Sequence, residues 1–273
     1  MLTQAQRNRV EIVLVSPRNP LNIGAVARAM ANFGFSHLTV AAPYAPHWRE
    51  AKSAVGAPHL LADAREASTL ADALANCTFV AGTGTVAHRK PEQSVVPLPA
   101  LAPLLERELG CALDRGGLST PTTPTSPAAR IALVFGPEKH GLTRDDLALC
   151  HVLVEIPTDP RQPSINLGQA VAVSLYELTR PTAAVGAPGP SLLGIRETRQ
   201  QAPTSAQLDQ LADLVEQTMI AARYSPRSML QANRHHLHLL LRRLALSPPD
   251  LRRILGLFRR ILWRLGSNPP RQP

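Results

Sequence analysis

Residues 10–34 read VEIVLVSPRNPLNIGAVARAMANFG. The run Val10–Val15 has the apolar character of a buried strand. Pro17 and Pro20 end it, because proline cannot donate to a strand ladder. Asn22 is a good N-cap, and the small, Ala-rich residues behind it predict a helix over Ile23–Phe33. Strand, turn and helix N-terminus follow one another here, and the free N–H groups of such a terminus suit an anion or a nucleic-acid backbone. At about 100° per residue, Ile23, Val26, Met30 and Phe33 form the apolar stripe. Arg28 falls on the opposite side, which by itself describes a solvated charge on a surface helix.

Elsewhere in the chain, strands are expected at Leu38–Ala42, Thr78–Ala81, Ile131–Phe135 and Val152–Ile156. Helices are expected at Asp63–Ala75, residues 98–109, Thr143–Cys150 (capped by Thr143) and Asn166–Leu178. This alternation implies an α/β fold, a mostly parallel sheet with helices on both faces. Residues 44–62 read as irregular, with a basic-aromatic group of His47, Trp48, Arg49 and Lys52. It suits either RNA stacking or a loop anchored by one Trp. Residues 114–129, rich in Gly, Ser, Thr and Pro, read as a mobile loop, and 181–203 as a linker. Beyond the linker the alternation stops. Thr204–Gln207 fits a capping box. Three amphipathic helices follow, carrying Leu208, Leu211, Val215 and Met219, then Leu237, Leu240, Leu241 and Leu244, then Leu251 to Leu265. The layout is a domain over 1–180, a linker over 181–203 and a basic helical extension over 204–266.

The 273 residues carry a net charge of +9, unevenly placed: residues 203–273 are at +7 and residues 1–202 at +2. A basic tail on a near-neutral body points to a polyanionic partner, most simply RNA. Three amphipathic helices in a row pack on each other more readily than on a membrane. Cys77, Cys111 and Cys150 are odd in number and widely spaced, which argues against a disulfide framework or zinc and fits a reducing, cytoplasmic setting. Met1 to Arg9 has no apolar h-region and no stretch approaches about 18 consecutive apolar residues, so a secreted or membrane-spanning protein is not expected.

Gly82-Thr83-Gly84-Thr85 after a strand resembles a dinucleotide fingerprint, but Pro91 opposes the helix that must follow at once. His235, His236 and His238 lack nearby Cys or carboxylate in sequence, so no metal is expected. Phe135-Gly136-Pro137-Glu138 with Gly141-Leu142 ends the fourth strand. Ile156-Pro157, followed by Ser164-Ile165-Asn166-Leu167, ends the fifth. With Gly82-Thr83, three turns share the carboxyl edge of a parallel sheet, where open α/β folds bind ligands. Exposed backbone in Gly- and Pro-rich turns suits a flat heterocycle such as adenine. Ser164 and Asn166 also read simply as caps of the next helix.

Together, Asn22-Ile23-Gly24-Ala25-Val26-Ala27-Arg28-Ala29 and these two later stretches resemble motifs one, two and three of the SpoU/TrmH (SPOUT) family, RNA 2′-O-ribose methyltransferases. The C-terminal Arg/Leu helices are similar to its TrmJ-like branch. The resemblance implies S-adenosylmethionine as cofactor, tRNA as partner with an anticodon-loop target, a trefoil knot over about 131–180, and a homodimer with the active site at the interface. It implies Arg28 as the catalytic arginine and Asn22 and Glu138 shaping the site. Ser164 and Asn166 would orient substrate and the third turn. Gly82, Thr83, Gly136, Glu138, Ile156, Pro157, Ile165 and Leu167 would hold the cofactor, largely through backbone. The chain departs from relatives at Pro137, where many carry Arg, and at Val86-Ala87-His88-Arg89, where Ser-Ala-Arg is common.

A ribose hydroxyl is a poor nucleophile and needs alignment and a proton acceptor. Arginine stays protonated. Arg28 is therefore expected to grip a phosphate and polarise the hydroxyl, with the phosphate or a water taking the proton. The competing readings are an rRNA methyltransferase and a non-catalytic RNA-binding module on the same fold.

Overall fold

Strand and helix alternate into one sheet. A computed structural model describes residues 1–44, 47–84, 91–110, 129–181, 202–224 and 229–267. In chain order the elements are α1 (Gln4–Arg7), β1 (Val10–Val15), α2 (Pro20–Phe33), β2 (His37–Ala41), α3 (Pro58–Ala62), β3 (Arg65–Ala67), α4 (Leu70–Leu74), β4 (Phe79–Thr83), β5 (Ser94–Pro97), α5 (Leu101–Gly110), β6 (Ile131–Phe135), α6 (Arg144–Ala148), β7 (Val152–Glu155), α7 (Leu167–Thr179), α8 (Ser205–Ala221), α9 (Leu230–Leu244) and α10 (Pro248–Ser267). The seven strands are ordered β3-β2-β1-β6-β4-β7-β5, and every pairing is parallel.

The period of two sorts each central strand between two cores. Val10, Ile12 and Leu14 of β1 and Ile131, Leu133 and Phe135 of β6 face the core shared with α2, α5 and α7. Val13, Val15, Ala132 and Val134 face the core under α4 and α6. Glu11 interrupts the apolar run, and its buried carboxylate accepts from the Thr39 hydroxyl and, at 3.1 Å, from Arg65.

Several expectations need correcting. Helix α2 starts three residues early: Asn19, not Asn22, is the N-cap, and Pro20 occupies the first turn. Proline is favoured there because its missing N–H would go unbonded anyway. The expected helix over 63–75 is instead the edge strand β3 and the short α4, separated by the N-cap Thr69. The edge strand β5 adds to the expected strands; Pro97 ends it. Trp48 is buried, with Arg49 over its ring at 4.4 Å, so this residue is an anchor. The loop expected at 114–129 and the linker at 181–203 fall almost wholly outside the described residues.

The C-terminal helices seat on the body. The N–H of Ser205, after the Thr204 capping box, donates to Cys77 O at 2.9 Å. Arg242 is buried and donates to Leu149 O at 2.9 Å and to Asp209 at 3.3 Å. His238 lies 3.2 Å from the same Asp209 oxygen. Burial alone pushes the Asp209 carboxyl up, but His238 and Arg242 outweigh it and hold it below the usual range. His235 lies 3.5 Å from Glu92. The histidines therefore do have carboxylate company, supplied from remote segments. No group suited to a metal exists among the described residues, and no described helix is long and apolar enough to cross a membrane. Burial pushes the Cys77 and Cys150 thiols up to about 12, which leaves them unreactive.

Candidate active site

The turns after β1 and β6 and the segment before α7 converge at the carboxyl edge of the sheet, joined by hydrogen bonds that run from Glu138 through Asn22 to Asn166. After β6 the chain folds back tightly: a Cβ on Gly136 would sit 2.3 Å from Gly141 C and Leu142 N, and Gly141 has φ 65°. Only glycine fits the first position, because backbone atoms cannot yield. This turn presents Glu138 to the start of α2. Its carboxylate accepts from Arg18 N–H at 3.1 Å, Asn19 N–H at 3.2 Å and Asn22 Nδ2 at 2.8 Å. Burial raises the Glu138 carboxyl, but the Asn22 bond and the backbone N–H groups outweigh it, and the group is held below the usual carboxylate range.

The Asn22 side chain has a second partner. Its Oδ1 accepts from Asn166 Nδ2 at 3.0 Å. Asn166 in turn caps α7, its Oδ1 accepting from Gly168 N–H at 2.9 Å and Gln169 N–H at 3.3 Å. Asn166 thus caps α7 and bonds Asn22 at the same time. Glu138, Asn22 and Asn166, drawn from remote parts of the sequence, form one hydrogen-bonded chain. Beneath it α2 and α7 pack closely: a Cβ on Gly168 would lie 2.9 Å from Ala25 Cβ.

Beside this chain lies a cavity of about 270 Å³, lined by Thr83, Gly136, Glu138, Ile156, Ser164, Ile165 and Leu167 of the expected residues. Gly84, Lys139 and His140 line it too, beyond the expected site residues. Gly82 and Pro157 do not line it. Gly82 instead makes room for neighbours: its Cβ would lie 2.6 Å from Cys150 Sγ. The Thr83 hydroxyl is committed to Val134 O at 3.0 Å, so Thr83 offers the cavity its backbone. Glycine backbone and three apolar side chains make a slot suited to a flat heterocycle. Residues 85–90, where the chain departs from relatives, lie outside the described residues.

Arg28 is exposed and lines no described cavity of its own chain. It stands two turns along α2 from Leu21, which is also exposed, as are Val173 and Tyr176 on the adjoining α7.

The model of the SpoU rRNA Methylase family matches residues 9–176. The chain belongs to this family. Within the SpoU family it is 39% identical over 172 residues to the tRNA (cytidine/uridine/adenosine-2′-O-)-methyltransferase TrmJ of Pseudomonas aeruginosa, covering 63% of this chain and 60% of that protein. It is 33% identical over 213 residues to the tRNA (cytidine/uridine-2′-O-)-methyltransferase TrmJ of Klebsiella pneumoniae, covering 78% of this chain and 79% of that one. The chain thus spans about three fifths of the length of the first relative. Among solved structures it resembles the crystal structure of TrmJ from Z. mobilis, with a TM-score of 0.72 and 26% identity, covering 92% of this chain and 98% of that one.

The SpoU match includes β1, the sheet and all three turns. Its residues therefore gather at one edge, with Asn22, Glu138 and Asn166 in contact and Arg28 apart. Two network members escape sequence reading, the main-chain N–H groups of Arg18 and Asn19. The Asn19-Pro20 pair is their signal, since it marks the true helix start.

Proposed function

We propose that this chain transfers the methyl group of S-adenosylmethionine to a ribose 2′-hydroxyl of tRNA, at an anticodon-loop nucleotide. The observation that carries the reading is the Glu138–Asn22–Asn166 chain, which binds three turns around one cavity. The residues present suit the cofactor: Gly84 and Gly136 leave backbone exposed, and Ile156, Ile165 and Leu167 give apolar walls. Bound there, the cofactor supplies an electrophilic sulfonium methyl. Arg28 grips a substrate phosphate and polarises the 2′-hydroxyl, and Ser164, which lines the cavity, helps to orient the substrate. The methyl would go to that hydroxyl oxygen, whose proton passes to the phosphate held by Arg28 or to a water.

We further infer a homodimer with the active site at its interface. Leu21, Val173 and Tyr176 are large, exposed apolar groups on neighbouring helix stripes that also hold Arg28. A second copy seated on this face brings one copy's Arg28 to the other's cavity. On this reading residues 1–180 are the catalytic domain, with the segment 131–180 threaded as a trefoil knot, and 181–203 link it to the extension 204–266. Arg252, Arg253, Arg259, Arg260 and Arg264 of α10 share one exposed face, opposite the face packed on α8, and give sequence-independent grip on phosphates. The setting is cytoplasmic.

The test is incubation of the full chain with labelled S-adenosylmethionine and either total tRNA or rRNA, followed by mapping of methylated riboses. Ribose label in the tRNA anticodon loop supports the proposal. Label confined to rRNA favours an rRNA enzyme, and no label in either favours a non-catalytic RNA-binding module. Changing the five α10 arginines to Gln should flatten the salt dependence of RNA binding, by about one unit of log–log slope for each phosphate no longer neutralised.

A further inference from the structure

The same sheet edge holds a feature that methyl transfer leaves unused. β1 and β2 leave the sheet through non-glycine residues in left-handed backbone, Ser16 at φ 43° and Ala42 at φ 46°. Such conformations are uncommon for L residues and persist where neighbours impose them. Here Ser16 N–H donates to Ala41 O and Ala42 N–H to Ala67 O, both at 2.8 Å. The two turns thus run side by side, and they bring Arg18 and Tyr44 together. The Arg18 guanidinium lies over the Tyr44 ring, 4.6 Å from its centroid. Tyr44 is 67% exposed, and Arg18 is exposed as well. The pair fills no core. Its position is nonetheless fixed to the site, since Arg18 N–H donates to Glu138 at 3.1 Å.

An exposed ring stacked with a guanidinium presents flat, polarisable surface beside a fixed positive charge. That combination suits a nucleobase and its phosphate. We propose that Arg18 and Tyr44 form a stacking platform for an RNA base flanking the methylated ribose. The proposal rests on the RNA-methyltransferase reading for the ribose, but its test does not require methyl transfer.

The experiment measures binding of a tRNA transcript to the full chain by fluorescence anisotropy, for wild type, Tyr44→Ala, Tyr44→Phe and Arg18→Gln, with S-adenosylmethionine affinity measured in parallel. Loss of the ring should weaken tRNA binding about 10-fold, while Tyr44→Phe stays within about twofold, as expected for stacking. Arg18→Gln should weaken it less and reduce the salt dependence, with cofactor affinity unchanged in all three variants. Wild-type tRNA affinity in Tyr44→Ala overturns the platform, and so does an equal loss of tRNA and cofactor binding, which marks a collapsed turn. Weakened tRNA binding in a chain that methylates neither tRNA nor rRNA keeps the platform and overturns the enzyme reading instead.

Discussion

The Glu138 carboxylate is met by neutral donors, two backbone N–H groups and the Asn22 amide. The Asp209 carboxylate, under the C-terminal helices, faces a buried guanidinium and an imidazole. Both carboxyls are held below their usual range, one by hydrogen bonds and the other by hydrogen bonds and charge together. The difference separates a site from a joint. At Asp209 the charge is cancelled, and the group holds α8 and α9 to the body. At Glu138 the charge is shaped but not cancelled. Arg28, on the same helix as Asn22, makes no hydrogen bond or ion pair among the described residues. On the proposed reading, the uncancelled anion at the sheet edge suits the cationic sulfonium of the methyl donor, and the uncommitted Arg28 on α2 suits a substrate phosphate.

The largest expected effect breaks the site and spares the fold. Arg28→Ala should lower methyl transfer by about 10²–10³-fold, the range for losing one preorganised charge donor, with unchanged thermal unfolding. Arg28→Lys should fail nearly as badly because the bidentate grip is lost; near-normal transfer by that variant would sink the geometric role. Arg242→Ala should do the reverse. It leaves Asp209 with His238 but without its guanidinium partner and should cost roughly 3 kcal/mol in urea unfolding, while transfer per folded molecule at low temperature holds near wild type. A loss of turnover beyond the unfolded fraction would show that the joint also serves the site. Smaller is Glu138→Gln, which weakens the acceptor for three donors and should cost about 1–2 kcal/mol of stability; cofactor affinity, measured by calorimetry, should fall alongside. An unaltered cofactor affinity would detach the network from the cavity.

The smallest effect is in pH. A carboxyl held low when folded adds stability that is fully present above its unfolded pKa of about 4, and that is lost as pH falls through the folded value. Both carboxylates thus contribute nothing to the slope at neutral pH, and both steepen acid unfolding. Asp209→Asn and Glu138→Gln should each flatten the stability curve below about pH 4. Identical acid limbs in variant and wild type would contradict both shifts.

The parts of the fold legible in the sequence are those with unbroken apolar runs. β1 and β6 begin and end where expected because both faces of each are buried. β3 and β5 are illegible for the opposite reason: they are short, largely exposed edges with no alternation to read. Arg65-Glu66-Ala67 has helical composition, and pairing with β2 overrides it. At the site, the turns stand out through their glycines and prolines, and the family motifs name Asn22, Glu138 and Asn166. That these three touch is a tertiary fact with no local signature. Reading Pro20 as a breaker rather than as a first-turn residue moves the helix start, and hides the contribution of Arg18 and Asn19.

The strand order has a consequence for assembly. Before β6 is made, β1, β2 and β3 can pair with one another, but β4 and β5 find no neighbour. β6 must insert between β1 and β4, and β7 between β4 and β5, before the sheet is continuous. A chain emerging from the ribosome therefore holds a three-stranded fragment and loose edges until Glu155, the end of β7, is out. The two strands that join the sheet, β6 and β7, are made last and pair across long sequence separations, so slow folding is built into the topology.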